Sequence, residues 1–314
     1  MLQLITKRLL ITLPMLLGLT LVVFTMLYFS PGDPARIILG DTASEAEVWA
    51  LREEMGLNRP FLQQYASYLQ GILRGDLGTS YQTGLPVIAE IKARLPVTAK
   101  LALLSIGFAI LVGIPLGVIS AVKQNSLTDN LARIASLLGL TIPNFWLALL
   151  LILFFSVRLG WVPPSGLYGP QYYILPVLSI SAVSVATFAR MTRSSLLETV
   201  RHDYVRTARA KGLAERVVIL RHALRNALIP IVTVVGMQLA SVLGGAVVNE
   251  QIFAIPGVGK MMIDAIKARN YPLVQGGVLV LALFYSVLNL GLDLLYGFLD
   301  PRIQAEMDGQ PGGN

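Results

Sequence analysis

The chain has 314 residues, of which 54% are hydrophobic and only 14% charged, and its mean hydropathy is +0.66; this is too apolar for a soluble globular protein and points to a polytopic membrane protein. The formal net charge of +7 does not point to nucleic acid, because the basic residues gather between apolar runs, where topology and anionic lipid account for them, without interleaved aromatics. No cysteine is present, which excludes disulfides, thiolate metal sites and a cysteine nucleophile.

Lys7 and Arg8 precede an apolar run from Leu9 to Phe29, long enough to cross a hydrocarbon core of about 30 Å. A retained first span is expected, since Tyr28-Phe29-Ser30-Pro31 stands where a cleaved signal peptide would carry a small-x-small site. From Ser30 to about Pro96 the chain is polar and reads as a small helical insertion. Ser44 and Glu47 form a capping box, Val48, Leu51 and Met55 give a helical stripe, and Gly56 stops it. A second amphipathic stretch runs from Phe61 to Leu73.

Hydropathy predicts five further spans, Thr98 to Val122, Leu131 to Val157, Ile174 to Ser194, Leu228 to Ile252 and Gly276 to Leu299, for an all-α protein of six transmembrane helices. The expected division is residues 1–97 as first span and external loop, 98–300 as transmembrane domain with a cytoplasmic loop at 198–230, and 301–314 as tail. Six spans place both termini on one side. Lys7, Arg8, Lys123 and Arg133 share that side with nine basic residues between Arg190 and Arg225, so it is expected to be cytoplasmic.

The polar run Glu198 to Pro230 reads as helix, turn and helix. Asp203 is a cap or first-turn acid, Thr207 to Lys211 propagate, Gly212 makes a left-handed stop, and a second helix starts near Ala214 and ends before Pro230. The residues alone leave two readings open: an amphipathic helix held on anionic lipid, or a docking element.

Between the last two predicted spans, FAIPGVGKMMIDAIKARNYP makes an external hairpin with a short helix. Its Gly257-Val258-Gly259-Lys260 is not a phosphate loop, because Ala254 replaces the first glycine of GxxxxGK[ST] and Met261 follows the lysine. HExxH and GxSxG are absent as well. His202 and His222, the only histidines, both fall in the cytoplasmic loop, which leaves no imidazole in a span for a metal.

Polar residues inside spans face protein or water, because lipid exposure is costly. Candidates for the translocation pathway are Asn144, Trp146, Ser181, Ser184, Gln238, Ser241 and Asn289, with interhelical hydrogen bonding as the alternative role for each. Glu250 is a candidate external gate, Asp293 is expected to pair with Arg190 or Arg193, and Gly113, Gly117, Gly244 and Gly245 should allow helices to approach closely.

The turn Arg206-Thr207-Ala208-Arg209-Ala210-Lys211-Gly212 resembles the cytoplasmic EAA loop of ATP-binding-cassette (ABC) importers, without its glutamate. RTARAKG followed by RHALRNALIP, together with PGDPARIILG, MGLNRPFLQQY, RGDLGTSY, EQIFAIPGVG and NLGLDLLYGFLDPR, is similar to the dipeptide, oligopeptide, nickel and glutathione permease branch. The resemblance implies a type I ABC importer permease fold with an external helical insertion and no catalytic residue of its own. It also implies that Asp203, Arg206, Thr207, Ala208, Arg209, Ala210, Lys211 and Gly212 couple to an ATPase. Implied partners are a homologous second permease, two ABC ATPase subunits holding ATP and Mg, and an extracytoplasmic solute-binding protein in the cell inner membrane system. The cargo would be a dipeptide, oligopeptide, glutathione or nickel complex, moved by alternating access. The alternative is a secondary transporter driven by an ion gradient, which would place an ionisable residue near mid-membrane or show inverted repeats.

Overall fold

In the computed structural model, which describes residues 2–40 and 42–299, the regular elements are all helical. Helices α1 (Leu2–Tyr28), α2 (Pro34–Leu39), α3 (Glu45–Glu54) and α4 (Phe61–Leu73) precede α5 (Val87–Val122). Then come α6 (Leu127–Thr141), α7 (Asn144–Leu151), α8 (Ile174–Thr199), α9 (Asp203–Ala210), α10 (Glu215–Val217), α11 (Leu224–Ile252), α12 (Val258–Lys267) and α13 (Tyr271–Leu299). Among the described residues five helices are long and apolar enough to cross a bilayer, and α6 with α7 and its π-helical extension to Arg158 makes a sixth if that bent pair is one crossing.

Three boundaries differ from the sequence reading, each at a proline. The predicted second span is the apolar part of a helix that starts at Val87 and carries Pro96 inside it. At 36 residues it measures about 54 Å, well beyond a hydrocarbon core of about 30 Å, and its surplus turns bear Glu90, Lys92 and Arg94. The carbonyl orphaned by Pro96 belongs to exposed Lys92, where water can satisfy it. The predicted third span is broken. Ile142 adopts an extended conformation before Pro143, as the proline ring demands of its predecessor, and the chain bends by 107° between α6 and α7. The helix after Gly212 does not stop before Pro230: it passes through a π-helical stretch, Val218–Ala223, into α11, which contains Pro230. Prolines are tolerated in membrane helices where neighbouring groups satisfy the freed backbone.

The chain forms two compact units. The first joins Ile5–Thr98 to Pro256–Ser286. Its core gathers Val87 and Ile91 of α5, Val258, Met261 and Ala265 of α12, and Leu273 and Val274 of α13. Gly276 lets α13 approach, since a Cβ there would lie 2.5 Å from Val87. Buried Asn270 donates to Ser80 Oγ at 2.8 Å and accepts from the Tyr81 amide at 3.2 Å, which fixes the loop before α5. The capping box is formed as the sequence predicts: Ser44 accepts from the Glu47 amide and Glu47 accepts from the Ser44 amide. Aromatic contacts of Phe24 with Phe61, Tyr65 and Tyr68 hold α4 on α1.

The second unit joins Ala99–Ile255 to α13 from Val287 onward. Here α8 is the hub, packed by α6, α7 and α11. Gly113 and Gly117 press α5 onto α8, where a Cβ would stand 2.8 Å from the Val185 carbonyl oxygen and 2.5 Å from that of Ala189. Gly244, expected to act similarly, faces open space. Residues 300–314, with the predicted tail, lie outside the described residues.

Candidate coupling turn and translocation residues

Helix α9 starts after an extended His202 with Asp203 as first-turn acid. It ends at Gly212, whose φ of +73° takes the left-handed conformation a side chain resists. The Lys211 and Gly212 amides close the last turn on the carbonyls of Thr207 and Arg209, at 3.1 and 2.9 Å. Val205 and Ala208, three residues apart and so on one face, are buried in a cluster with Ala121 of α5, Leu196 of α8 and Val218, Ile219, Ala223 and Ala227. The other face, with Arg206, Thr207, Arg209, Ala210 and Lys211, is exposed.

Charge pairs stiffen this turn from within. Arg209 Nε and Nη2 donate to both carboxylate oxygens of Glu215, at 3.0 and 2.7 Å, tying α9 to α10 across Gly212. The guanidinium hydrogen bonds hold the Glu215 carboxyl below its usual range. Arg206 lies 3.5 Å from Asp203. Of the residues implied to couple to an ATPase, Ala208 packs inside the chain's own cluster, and Arg209 has a two-point intramolecular carboxylate.

Of the pathway candidates, the structure joins Ser184 of α8 to Gln238 of α11, the amide donating to the hydroxyl at 3.1 Å. Ser181 is buried and donates only to its own helix, at the Leu178 carbonyl. Asn144 stands beside Gly245 with its Oδ1 buried and without a hydrogen-bond partner. Asn289 Oδ1 faces Gly236 of α11. Trp146 and Ser241 are exposed and take part in neither contact. Glu250, the candidate gate, is fully buried, so it is not reached from solvent in this conformation.

Two constellations escaped the sequence reading. Ser179 Oγ donates to Asn249 Oδ1 at 2.6 Å, and Asn249 Nδ2 donates to the Gly245 carbonyl at 2.9 Å, giving α8 and α11 a second polar tie. The available signal was an asparagine beside Glu250 in an apolar run. Asp129, fully buried, receives Arg193 Nε at 2.8 Å and Nη2 at 2.9 Å, Ser120 Oγ at 2.5 Å and the Asn125 amide at 2.9 Å. Arg193 thus has Asp129 as partner where Asp293 was expected, and the Asp293 side chain lies outside the described residues. Ser126 followed three positions later by Asp129 was read as neither cap nor partner, although Ser126 caps α6.

Comparison with known proteins matches these features to one group. A family described as binding-protein-dependent transport system inner membrane component matches residues 113–305, and its N-terminal companion matches residues 1–102. The chain is 41% identical over 326 residues to the dipeptide transport system permease protein DppB of Alkalihalophilus pseudofirmus, covering 95% of this chain and 98% of that protein. It is 41% identical over 304 residues to the glutathione transport system permease protein GsiC of Pectobacterium atrosepticum, with 97% and 99% covered. With DppB of Escherichia coli it shares 40% over 336 residues, again with 97% and 99% covered. Among solved structures, an inward-facing conformation of the MetNI methionine ABC transporter matches with a TM-score of 0.55 at 18% identity, over 67% of this chain and 96% of that one, and shows a common fold. A turn that projects one exposed face from a helical membrane unit, on a chain matched almost end to end by such relatives, is a permease subunit: the chain belongs to the family of inner membrane components of binding-protein-dependent transport systems, within the ABC importers.

Proposed function

We propose that the chain is one half of a translocation pathway for a small peptide-like solute, a dipeptide or glutathione, completed by a homologous second permease. Two ATPase subunits bind ATP and Mg and seat on α9, and an extracytoplasmic binding protein delivers solute to the insertion side. The observation that carries the solute class is the 40–41% identity, over nearly the whole chain, to permeases named for dipeptide and glutathione. A nickel complex, also implied by the sequence resemblance, has no counterpart among these names.

The geometry supports a mechanical route. A push on exposed Arg206, Ala210 or Lys211 is received by Val205 and Ala208, which are wedged against α5, α8 and the π-helical stretch leading to α11. Helices α8 and α11 are tied by Ser179–Asn249 and Ser184–Gln238, so they respond together as a rigid body, the form of motion alternating access uses. Ser181, Asn144 and Asn289 remain candidates for solute contact. Both termini then lie in the cytoplasm with α9.

The test is reconstitution of the full complex in liposomes. Uptake of labelled dipeptide that requires ATP and the binding protein is expected, and uptake driven by an ion gradient with this chain alone would overturn the reading. Orientation is tested separately in the cysteine-free background, where a cysteine at Ala214 should escape an impermeant reagent added outside.

A further inference from the structure

Within the first unit, a cavity of about 480 Å³ opens among the ends of α1 and α13 and the helices of the insertion, a volume typical of small-ligand sites. Its walls are aromatic, with Phe24, Tyr28, Tyr68, Tyr81 and Tyr271. What distinguishes it from a gap in packing is the state of its polar groups.

The one acid, Asp33, is occupied: Oδ1 accepts from the Ala35 amide at 3.1 Å and Oδ2 from Arg52 Nη1 at 3.3 Å. Arg52 is further engaged through Nε with Asn58 at 3.2 Å, and Gln64 Nε2 serves the carbonyls of Leu57 and Arg59. Several lining groups remain unspent, Gln275 and Arg59 among them. Gln275 of α13 lines the cavity, and its amide makes no hydrogen bond among the described residues. Arg59 has no carboxylate within ion-pair distance among them. An amide without a protein partner and a guanidinium without a carboxylate thus line one cavity and offer donors to a ligand that accepts hydrogen bonds. The phenols of Tyr68 and Tyr81, which burial pushes up to about 12, add two further donors.

We propose that this cavity binds a small carboxylate carried on an aromatic or apolar body, with Gln275 and Arg59 as its donors and the tyrosine wall enclosing the body. The carboxylate is ionised near neutral pH and needs several donors, which the cavity supplies, while Asp33 is paired with Arg52. The site goes beyond the transport reading above, and binding can be tested without transport.

The experiment uses the full chain in phosphatidylcholine nanodiscs and measures equilibrium binding of N-acetylphenylalanine and of its methyl ester, which differ only in the carboxylate. Saturable binding of the acid, with the ester weaker by about tenfold or more, is expected from hydrogen bonds to a charged acceptor. Arg59→Ala and Gln275→Leu should each weaken the acid by about tenfold. Arg59 is exposed, so its variant keeps the fold, and an unchanged melting midpoint verifies this. Equal binding of acid and ester, no saturable binding at roughly 1 mM, or wild-type affinity in both variants overturns the proposal. Phosphatidylglycerol in the nanodisc separates the sources of an anion: unchanged probe binding supports the small carboxylate, and competitive displacement dependent on Arg59 reassigns the site to a lipid headgroup and overturns it.

Discussion

Arg193 of α8 holds Asp129 of α6 with two nitrogens, Nε at 2.8 Å and Nη2 at 2.9 Å, and Ser120 of α5 and the Asn125 amide fill the remaining acceptor positions of the carboxylate. Three membrane helices meet on one fully buried acid. Removing one partner of such a pair leaves a buried charge and costs about 3–5 kcal/mol. Asp129→Ala should therefore destabilise the chain strongly, and Asp129→Leu with Arg193→Leu should cost less than the two single changes summed. Thermal unfolding in detergent of the four members of this cycle checks it; additive losses would mean the pair does not act as a unit.

Gly212 gives a cleaner test than its neighbours. A Cβ there would meet nothing within 4 Å, so a substitution acts only through its φ of +73°. Gly212→Val should cost about 1–2 kcal/mol locally or reorient α9, leaving the chain inserted but uncoupling hydrolysis from solute. Gly212→Asn, which tolerates this conformation, should retain coupling. Solute-stimulated ATP hydrolysis of the reconstituted complex distinguishes them.

Ala208 and Ala210 separate packing from docking. Ala208→Trp forces a large ring into a filled cluster, where overpacking costs about 1–3 kcal/mol, and should lower the melting midpoint of the isolated chain. Ala210→Trp changes an exposed position and should leave that midpoint unchanged while reducing retention of the ATPase on co-purification. Normal retention in the Ala210 variant would remove this face from the proposed seat.

The Arg209–Glu215 pair carries a sign for pH. Its folded carboxyl lies below the usual carboxylate value, so the contribution is present above the unfolded value and is lost as pH falls through the folded one. With side chains 38% and 56% exposed, solvent screening limits it to about 0.2–1 kcal/mol. Coupling should hence be flat between about pH 6 and 8. Glu215→Gln should loosen the turn at all these values, and exchanging the two residues should restore it.

Deleting the segment from Ser44 to Gly56 removes α3 with its capping box. The reconstituted complex should keep its ATPase but lose part of the stimulation given by loaded binding protein. Full stimulation would show that the insertion is not where that protein lands.

What could be read from the sequence was what is decided within a turn or two of helix. The Ser44–Glu47 box and the left-handed Gly212 depend on neighbours three residues away, and both form. Prolines misled at Pro96, Pro143 and Pro230 because a proline in a membrane helix ends it, bends it or passes unnoticed according to what surrounds the freed carbonyl. Asp129 and Arg193 lie 64 positions apart, and nothing local distinguished Asp129 from Asp293 as the arginine's partner. The same holds for Ser179 and Asn249, whose tie depends on which faces of α8 and α11 meet. Ala208 and Ala210, alike as small residues in sequence, part company only when the helix takes its place and turns one inward.

Gly113 and Gly117 are one helical turn apart, each lying under a backbone carbonyl of α8. A side chain at either position would run into that carbonyl, and a slide of α5 along α8 would carry bulkier neighbours toward the same narrow gap. The contact behaves like a clasp, closed one turn further on by the carboxylate that Ser120 of α5 and Arg193 of α8 share. During a transport cycle these two helices should therefore travel as one bar, with the yielding left to joints elsewhere, such as the bend at Ile142 and Pro143.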